Sequence, residues 1–426
     1  MRWPGATARV LLGLASGALV GLSLAHWSPG SAATAVAIAQ PVGKLWLSGL
    51  QMTVVPLVLT LVILGVATAS DAAASGRVAR RAMVVFISLL SLFAVYAAIV
   101  APLVLSVMPP SPALTATLHA SLSAVGDIKT PALADWISSI IPSNAIQAAA
   151  QGAMLPVVVF ALFFGFALTR VHEDRRTQII AFCHGVADTM IVIVRWMLLA
   201  APIGVFALVL SVCAQAGIGV IGALVGYIAL QCGMYLGATL ICYVLVAVFA
   251  RTSPMAFAKA ILPAQVVAAS TQSSLASLPA MVESSRFRLG HPRAVAALVL
   301  PMAVTLFRIT SPIQYIVAAC FVAWAYGIEL SAVTLAAGAA LSVVISLGSI
   351  GLPGQVSFMA TVMPVTQSMG LPIEPLGLLL AVDTIPDVFA TTGNVTGDLT
   401  ATSIVARQSP DALDAEPDTA TATPEV

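Results

Sequence analysis

Apolar runs of about twenty residues recur along almost the whole chain, each long enough to cross a ~30 Å hydrocarbon core. They predict membrane-spanning helices near residues 8–28, 45–70, 83–108, 152–171, 178–213, 218–250, 292–326 and 371–405. Two other segments break this rhythm. AILPAQVVAASTQSSLASLPAMVESS, between Lys259 and Arg286/Arg288, is too short for two crossings at ~20 residues each, yet is basic at both ends. Residues 330–366 are two half-length apolar runs interrupted by GSIGLPGQVS. Both read as re-entrant hairpins, the first over 254–285 with its tip at Ser270–Ser277.

Basic residues decide orientation. They cluster at Arg2 and Arg9, at Arg77/Arg80/Arg81, at Arg170/Arg175/Arg176, at Arg251 and Lys259, at Arg286/Arg288/Arg293 and at Arg407. Under the positive-inside rule these loops are cytoplasmic. Eight spans and two hairpins entering from opposite sides then place both termini in the cytoplasm of a multi-pass inner-membrane protein. The stretch after Trp3 could pass for a signal peptide, but the topology needs it as a first span. The acidic tail over 408–426 is expected to be disordered.

Composition agrees with a chain immersed in lipid. Of its 426 residues 60% are hydrophobic and only 8% charged, and the net charge of +1 leaves no basic surface for nucleic acid. The five cysteines lie in or beside apolar runs without metal-ligand spacing and read as small buried hydrophobes. His184 and Asp188, one turn apart, read as a polar face near a membrane boundary. No nucleophile–base pair or phosphate loop stands at usable spacing, so neither an enzyme nor a cofactor is expected.

The exception to this apolarity is DTIPDVFATTGNVTGD, residues 383–398. Asp383, Asp387, Asn394 and Asp398 follow at offsets of 4, 7 and 4, which places them near one stripe of a helix. A carboxylate inside a membrane costs at least ~2.5 kcal/mol and is expected to face a partner. Paired broken segments with polar tips are a mark of secondary transporters, since irregular backbone at that depth is tolerated where it lines a cavity.

Four stretches carry a family resemblance: NVTGDLTATSIVA, IIPSNAIQAAAQGAMLPVVVFALFFGFALT, AAPIGVFALV and LQMTVVPLVLTLVILGVATAS. With the paired hairpin tips they resemble the dicarboxylate/amino acid:cation symporters, the glutamate transporter homologues. The resemblance implies a homotrimer with a scaffold of spans one, two, four and five (1–82 and 109–217). It also implies a core of span three (83–108) and residues 218–407 that moves as an elevator. By the same resemblance Asp387 binds a substrate ammonium, Asn394 its carboxylate, and Ser273, Ser274 and Gly354 of the tips receive the substrate. Asp398, with Ser91 and Asn394, would hold a sodium ion.

Several positions depart from the family's pattern. Ala390 stands where members with acidic substrates place an arginine, which favours a neutral or small amino acid, with dicarboxylates second. Phe307-Arg308-Ile309-Thr310-Ser311 replaces an Asn-Met-Asp-Gly-Thr signature and keeps only a hydroxyl, at Ser311. Ile87 and Leu90 replace a tyrosine and a threonine, so sodium coupling is expected to be reduced or lost, leaving a proton or exchange. Arg308 has three readings: a tethered cation paired with Asp398 or Asp387, a receiver of a substrate carboxylate, or a side chain reaching toward an interface. A ligand-binding receptor without transport, an exchanger and an uncoupled anion channel are the alternative functions.

Overall fold

The structure, a computed structural model, describes residues 6–74, 76–108, 141–217, 219–348 and 354–409. Among these residues there are helices and no strand. The N-terminal helices are α1 (Ala6–Trp27), α2 (Pro29–Gln51), α3 (Val54–Ala74) and α4 (Arg77–Ser106). Then come α5 (Ala145–Ala150), α6 (Met154–Leu168), α7 (Glu173–Leu199), α8 (Ala201–Ala216) and α9 (Gly219–Leu245). The rest are α10 (Pro254–Thr271), α11 (Ser274–Glu283), α12 (Arg293–Leu306) and α13 (Thr310–Ala325), followed by α14 (Ala332–Gly348), α15 (Gly354–Ser368), α16 (Leu376–Val382) and α17 (Thr384–Arg407). π-turns extend α9 over Val246–Ala250 and α11 over Ser284–Arg288.

Among the described residues six helical stretches are long and apolar enough to cross a membrane, or seven if α16 and α17, bent by 71°, count as one. The chain is therefore an all-helical, polytopic membrane protein. Three expectations change. The span over 152–171 is the 15-residue α6, roughly 22 Å long at 1.5 Å per residue and short of the hydrocarbon core. The span over 178–213 is two helices, because Pro202 has no N–H for the carbonyl one turn back and the ladder restarts at α8. Residues 29–44, expected as a loop, belong to α2, which Pro29 opens and an alanine-rich stretch sustains.

Two neighbourhoods stand out among the helix contacts, and α3 packs on helices of both. In one, α8 lies along α1 and α2, while α3 packs on α6 and α7. In the other, α17 packs on α9, α10 and α12, and α13 packs on α4, α9 and α15. Contacts of α3 with α14 and α15 join the two, so one apolar core runs through both.

The α1–α8 contact is backbone against backbone. A Cβ on Gly13 would stand 2.4 Å from the Pro202 carbonyl oxygen, and one on Gly17 2.6 Å from that of Phe206. One turn on, a Cβ on Gly21 would stand 2.7 Å from the Leu210 carbonyl. Small residues at this spacing let membrane helices approach closely, and dispersion then replaces the hydrophobic drive that lipid does not supply. Gly17→Val is expected to force the helices apart and cost ~1–3 kcal/mol. Thermal unfolding in detergent checks this: an unchanged melting temperature would contradict the close approach.

The segment expected as the first hairpin forms two short helices. Helices α10 and α11 pack on each other and are joined by Gln272 and Ser273 alone. Gln272 is left-handed (φ +50°) and closes α10, and Ser273 caps α11, its Oγ accepting the Ala276 N–H at 3.2 Å. In the second hairpin α14 and α15 also pack together. Its tip at Gly351, Leu352 and Pro353 lies outside the described residues, and Gly354 opens α15. The loop around Lys129 and the tail from residue 410 lie outside them too.

Candidate functional site

The helix expected over 292–326 is broken in the middle. Phe307 is extended (φ −129°, ψ 107°), α12 ends before it and α13 starts at Thr310. The cause is local: Pro312 has no N–H to give the Arg308 carbonyl, which is reached instead by the Ser311 N–H at 3.1 Å. Asn394 on α17 supplies what the backbone lacks. Its Oδ1 accepts from the Thr310 N–H at 3.1 Å and from the Thr310 hydroxyl at 3.0 Å. With the oxygen so occupied, the Asn394 amide NH₂ is left as a donor.

Small residues on α17 let the break come close. A Cβ on Gly393 would meet Thr310 Cγ2 at 3.0 Å, and one on Gly397 would meet Ile309 Cγ2 at 2.9 Å. From the other side Phe86 of α4 stacks on Phe307, with centroids 4.6 Å apart and planes 12° apart. Stacking of this kind contributes ~0.5–1.5 kcal/mol beyond area burial.

The hairpin tip reaches the same helix. Gln272 Nε2 donates to the Thr384 carbonyl at 3.1 Å, and Gln265 Nε2 donates to the Thr396 hydroxyl at 2.8 Å. Ser274 is buried and its hydroxyl has no partner, whereas Leu275 beside it is 70% exposed. Thus Gln272 of the tip and Thr310 of the break both meet α17.

Asp383 stands at the start of α17, one turn before Asp387, whose N–H its carbonyl accepts at 3.0 Å. The 71° bend falls at Asp383, where Pro386 deprives the first turn of α17 of a donor. Asp383 is buried, and its carboxylate accepts from Gln314 Nε2 of α13 at 2.8 Å. Asp387, Asn394 and Asp398 remain on α17. Asp387 is half-buried, with no side-chain hydrogen bond or ion pair to a described residue. Asp398 is fully buried, and neither carboxylate oxygen has a hydrogen-bond partner among the described residues.

Arg308 stands in the break, half-buried, its Nε inaccessible and without an acceptor. The expected pairing with Asp387 or Asp398 is not formed: no ion pair within 4.0 Å joins Arg308 to a described carboxylate. It is nonetheless near enough to act electrostatically on both. The guanidinium and the two carboxylates thus face one region without closing on each other.

The residues expected to hold a cation are only partly assembled. A hard cation gathers roughly six oxygen donors. Asp398 offers two, but Ile309 and Phe307 occupy the break next to it and Leu90 is buried in the α4 face. Ile87, expected in the site, is 43% exposed and points away, because α4 turns that face outward. Ser91 and Ser311 are half-buried, and no hydrogen bond joins either side chain to Asp398. Gln314 and Gln272 are polar groups beside this region to which the sequence reading gave no role; their signal was a polar amide inside an apolar run.

A helical membrane protein that keeps unpaired charges at a broken helix beside a hairpin tip falls in the class of polytopic membrane transporters. The family model described as the sodium:dicarboxylate symporter family matches residues 6–408, and the chain belongs to that family. It is 26% identical over 407 residues to a proton/glutamate-aspartate symporter of Escherichia coli, covering 94% of this chain and 92% of the relative. It is 28% identical to a C4-dicarboxylate transport protein of Rhizobium leguminosarum over 412 residues, 94% of this chain and 88% of that one. A neutral amino acid transporter B(0) of Oryctolagus cuniculus is 30% identical over 429 residues, 92% of this chain and 76% of the relative.

Proposed function

We propose that this protein is a secondary transporter that carries a neutral or small amino acid across the cytoplasmic membrane, with dicarboxylates as second choice and little dependence on sodium. One observation carries the reading: Arg308 and Asp387 share a site and neither has an ion-pair partner among the described residues. A zwitterion bridges such a pair. Its carboxylate takes the guanidinium and the free Asn394 NH₂, and its ammonium takes Asp387, each a charge-assisted hydrogen bond. A dicarboxylate satisfies Arg308 but has nothing for Asp387, and Ala390 offers no second cation for a side-chain acid. Among the relatives, one is named as a glutamate-aspartate symporter and another as a neutral amino acid transporter, so the family accommodates both kinds of substrate.

The same reading extends to mechanism. The neighbourhood of α1, α2, α3, α6, α7 and α8 serves as a trimerising scaffold, and that of α4, α9–α15 and α17 as the core that moves like an elevator. Hairpin tips re-entering from opposite sides gate the site, completing eight spans with both termini in the cytoplasm. Sodium dependence falls because Ile309, Leu90 and Phe307 cannot coordinate a cation beside Asp398. A proton or a counter-substrate then supplies the coupling.

Uptake by purified protein in liposomes tests this, over amino acids and dicarboxylates with sodium and pH varied separately. Replacing sodium by choline is expected to leave amino acid uptake nearly unchanged. Strict dependence on sodium would overturn the reduced coupling and leave the transporter reading standing. Binding without accumulation under any gradient would favour a receptor, and uptake only against preloaded substrate an exchanger.

A further inference from the structure

A second concave site lies one to three turns beyond Asp398 along α17. The start of α4, the π-turn that ends α9 and the last turn of α17 enclose a groove of about 380 Å³. That falls within the usual ~300–1,000 Å³ of small-ligand pockets. Val84, Leu89, Phe249 and Ile404 make its wall, and Arg80 and Arg81 stand at its rim. Val84 is 61% and Phe249 56% exposed, so the wall is open at the side. Arg81 is held in place, its Nη1 donating to the Ser409 hydroxyl at 3.0 Å. No carboxylate among the described residues pairs with either arginine.

We infer that this groove holds an anionic glycerophospholipid, with its phosphate on Arg80 and Arg81 and an acyl chain along Val84, Leu89 and Phe249. The two halves of the site call for the two halves of that molecule. Guanidinium groups bind phosphate oxygens in a forked, charge-assisted geometry. The uncapped N-terminus of α4, one turn before Arg80, adds a favourable dipole. An apolar wall open to the bilayer takes a chain that never has to leave lipid. The basic cluster of Arg77, Arg80 and Arg81 sets this end of α4 at the headgroup level, where anionic lipids attract basic residues. Bound there, the lipid ties α4, α9 and α17 together at one end of the neighbourhood that contains the charged site.

Native mass spectrometry of the full chain from nanodiscs of phosphatidylcholine with a minor share of phosphatidylglycerol tests the inference. Phosphatidylglycerol is expected to stay bound preferentially, and the R80Q/R81Q variant to lose at least ~10-fold in affinity for it, with phosphatidylcholine unaffected. Val84→Trp, which fills the groove from an exposed position and leaves both charges, is expected to displace it as well. Equal retention by the parent and both variants overturns the site. So does displacement by excess inorganic phosphate, which would mean a phosphate site without a lipid. Deletion of residues 410–426 is expected to change nothing, and a several-fold gain in bound lipid would show that the acidic tail is the natural occupant.

Discussion

Arg308→Met is expected to lower affinity for amino acids by on the order of 100-fold while leaving the empty protein at least as stable. Two charge-assisted hydrogen bonds to a substrate carboxylate contribute ~3 kcal/mol together, and that converts to somewhat more than 100-fold. Stability moves the other way. In the empty protein the Arg308 Nε is buried without an acceptor among the described residues, so a methionine of similar length removes a desolvated donor. Substrate binding by calorimetry and thermal unfolding of the empty protein give the two readouts. If Arg308 instead stood in for a bound cation, the variant would keep its affinity, lose stability by leaving the charge of Asp398 uncompensated, and gain a sodium requirement. That pattern would sink the zwitterion reading.

The second large effect is on selectivity. Asp387→Asn removes the countercharge for a substrate ammonium, and truncating one partner of a buried charge pair costs ~2–5 kcal/mol. Affinity for amino acids is therefore expected to fall by at least ~30-fold, while affinity for dicarboxylates is unchanged or higher. Competition assays with both substrate classes on the same preparation read the difference. Equal losses for the two classes would make Asp387 a structural residue, and no loss for either would remove it from the site. The prediction is independent of the coupling ion, because neither Asp387 nor its proposed ligand needs sodium to make the contact.

Both variants lie where the local pattern was easiest to read. Helical period put Asp387, Asn394 and Asp398 on one side of a helix, and chain length between Lys259 and Arg286 left room only for a turn back. Local chemistry that hydropathy averages away was harder to see. Pro312 and Pro386 sit inside apolar runs of about twenty residues, and a window of that width hides the loss of a single N–H. The break at Phe307–Ile309 and the 71° bend at Asp383 follow from those two prolines. The Gly13, Gly17 and Gly21 repeat was likewise on display, but not its partner α8.

From its residues alone, this chain was legible as a helical membrane protein that resembles this symporter family, with acids on its last helix and aliphatic residues at positions where that family's pattern has cation donors. Periodicity, segment length and residue type are properties of neighbouring positions, and they survive whatever the rest of the chain does. Only the tertiary structure decided that Arg308 stands unpaired beside Asp387, that Phe86 stacks on Phe307, that Asp383 is taken by Gln314 and that Ile87 faces outward. Each depends on how helices distant in sequence cross and turn, and Coulomb and dispersion forces act across those crossings with no trace in the local pattern.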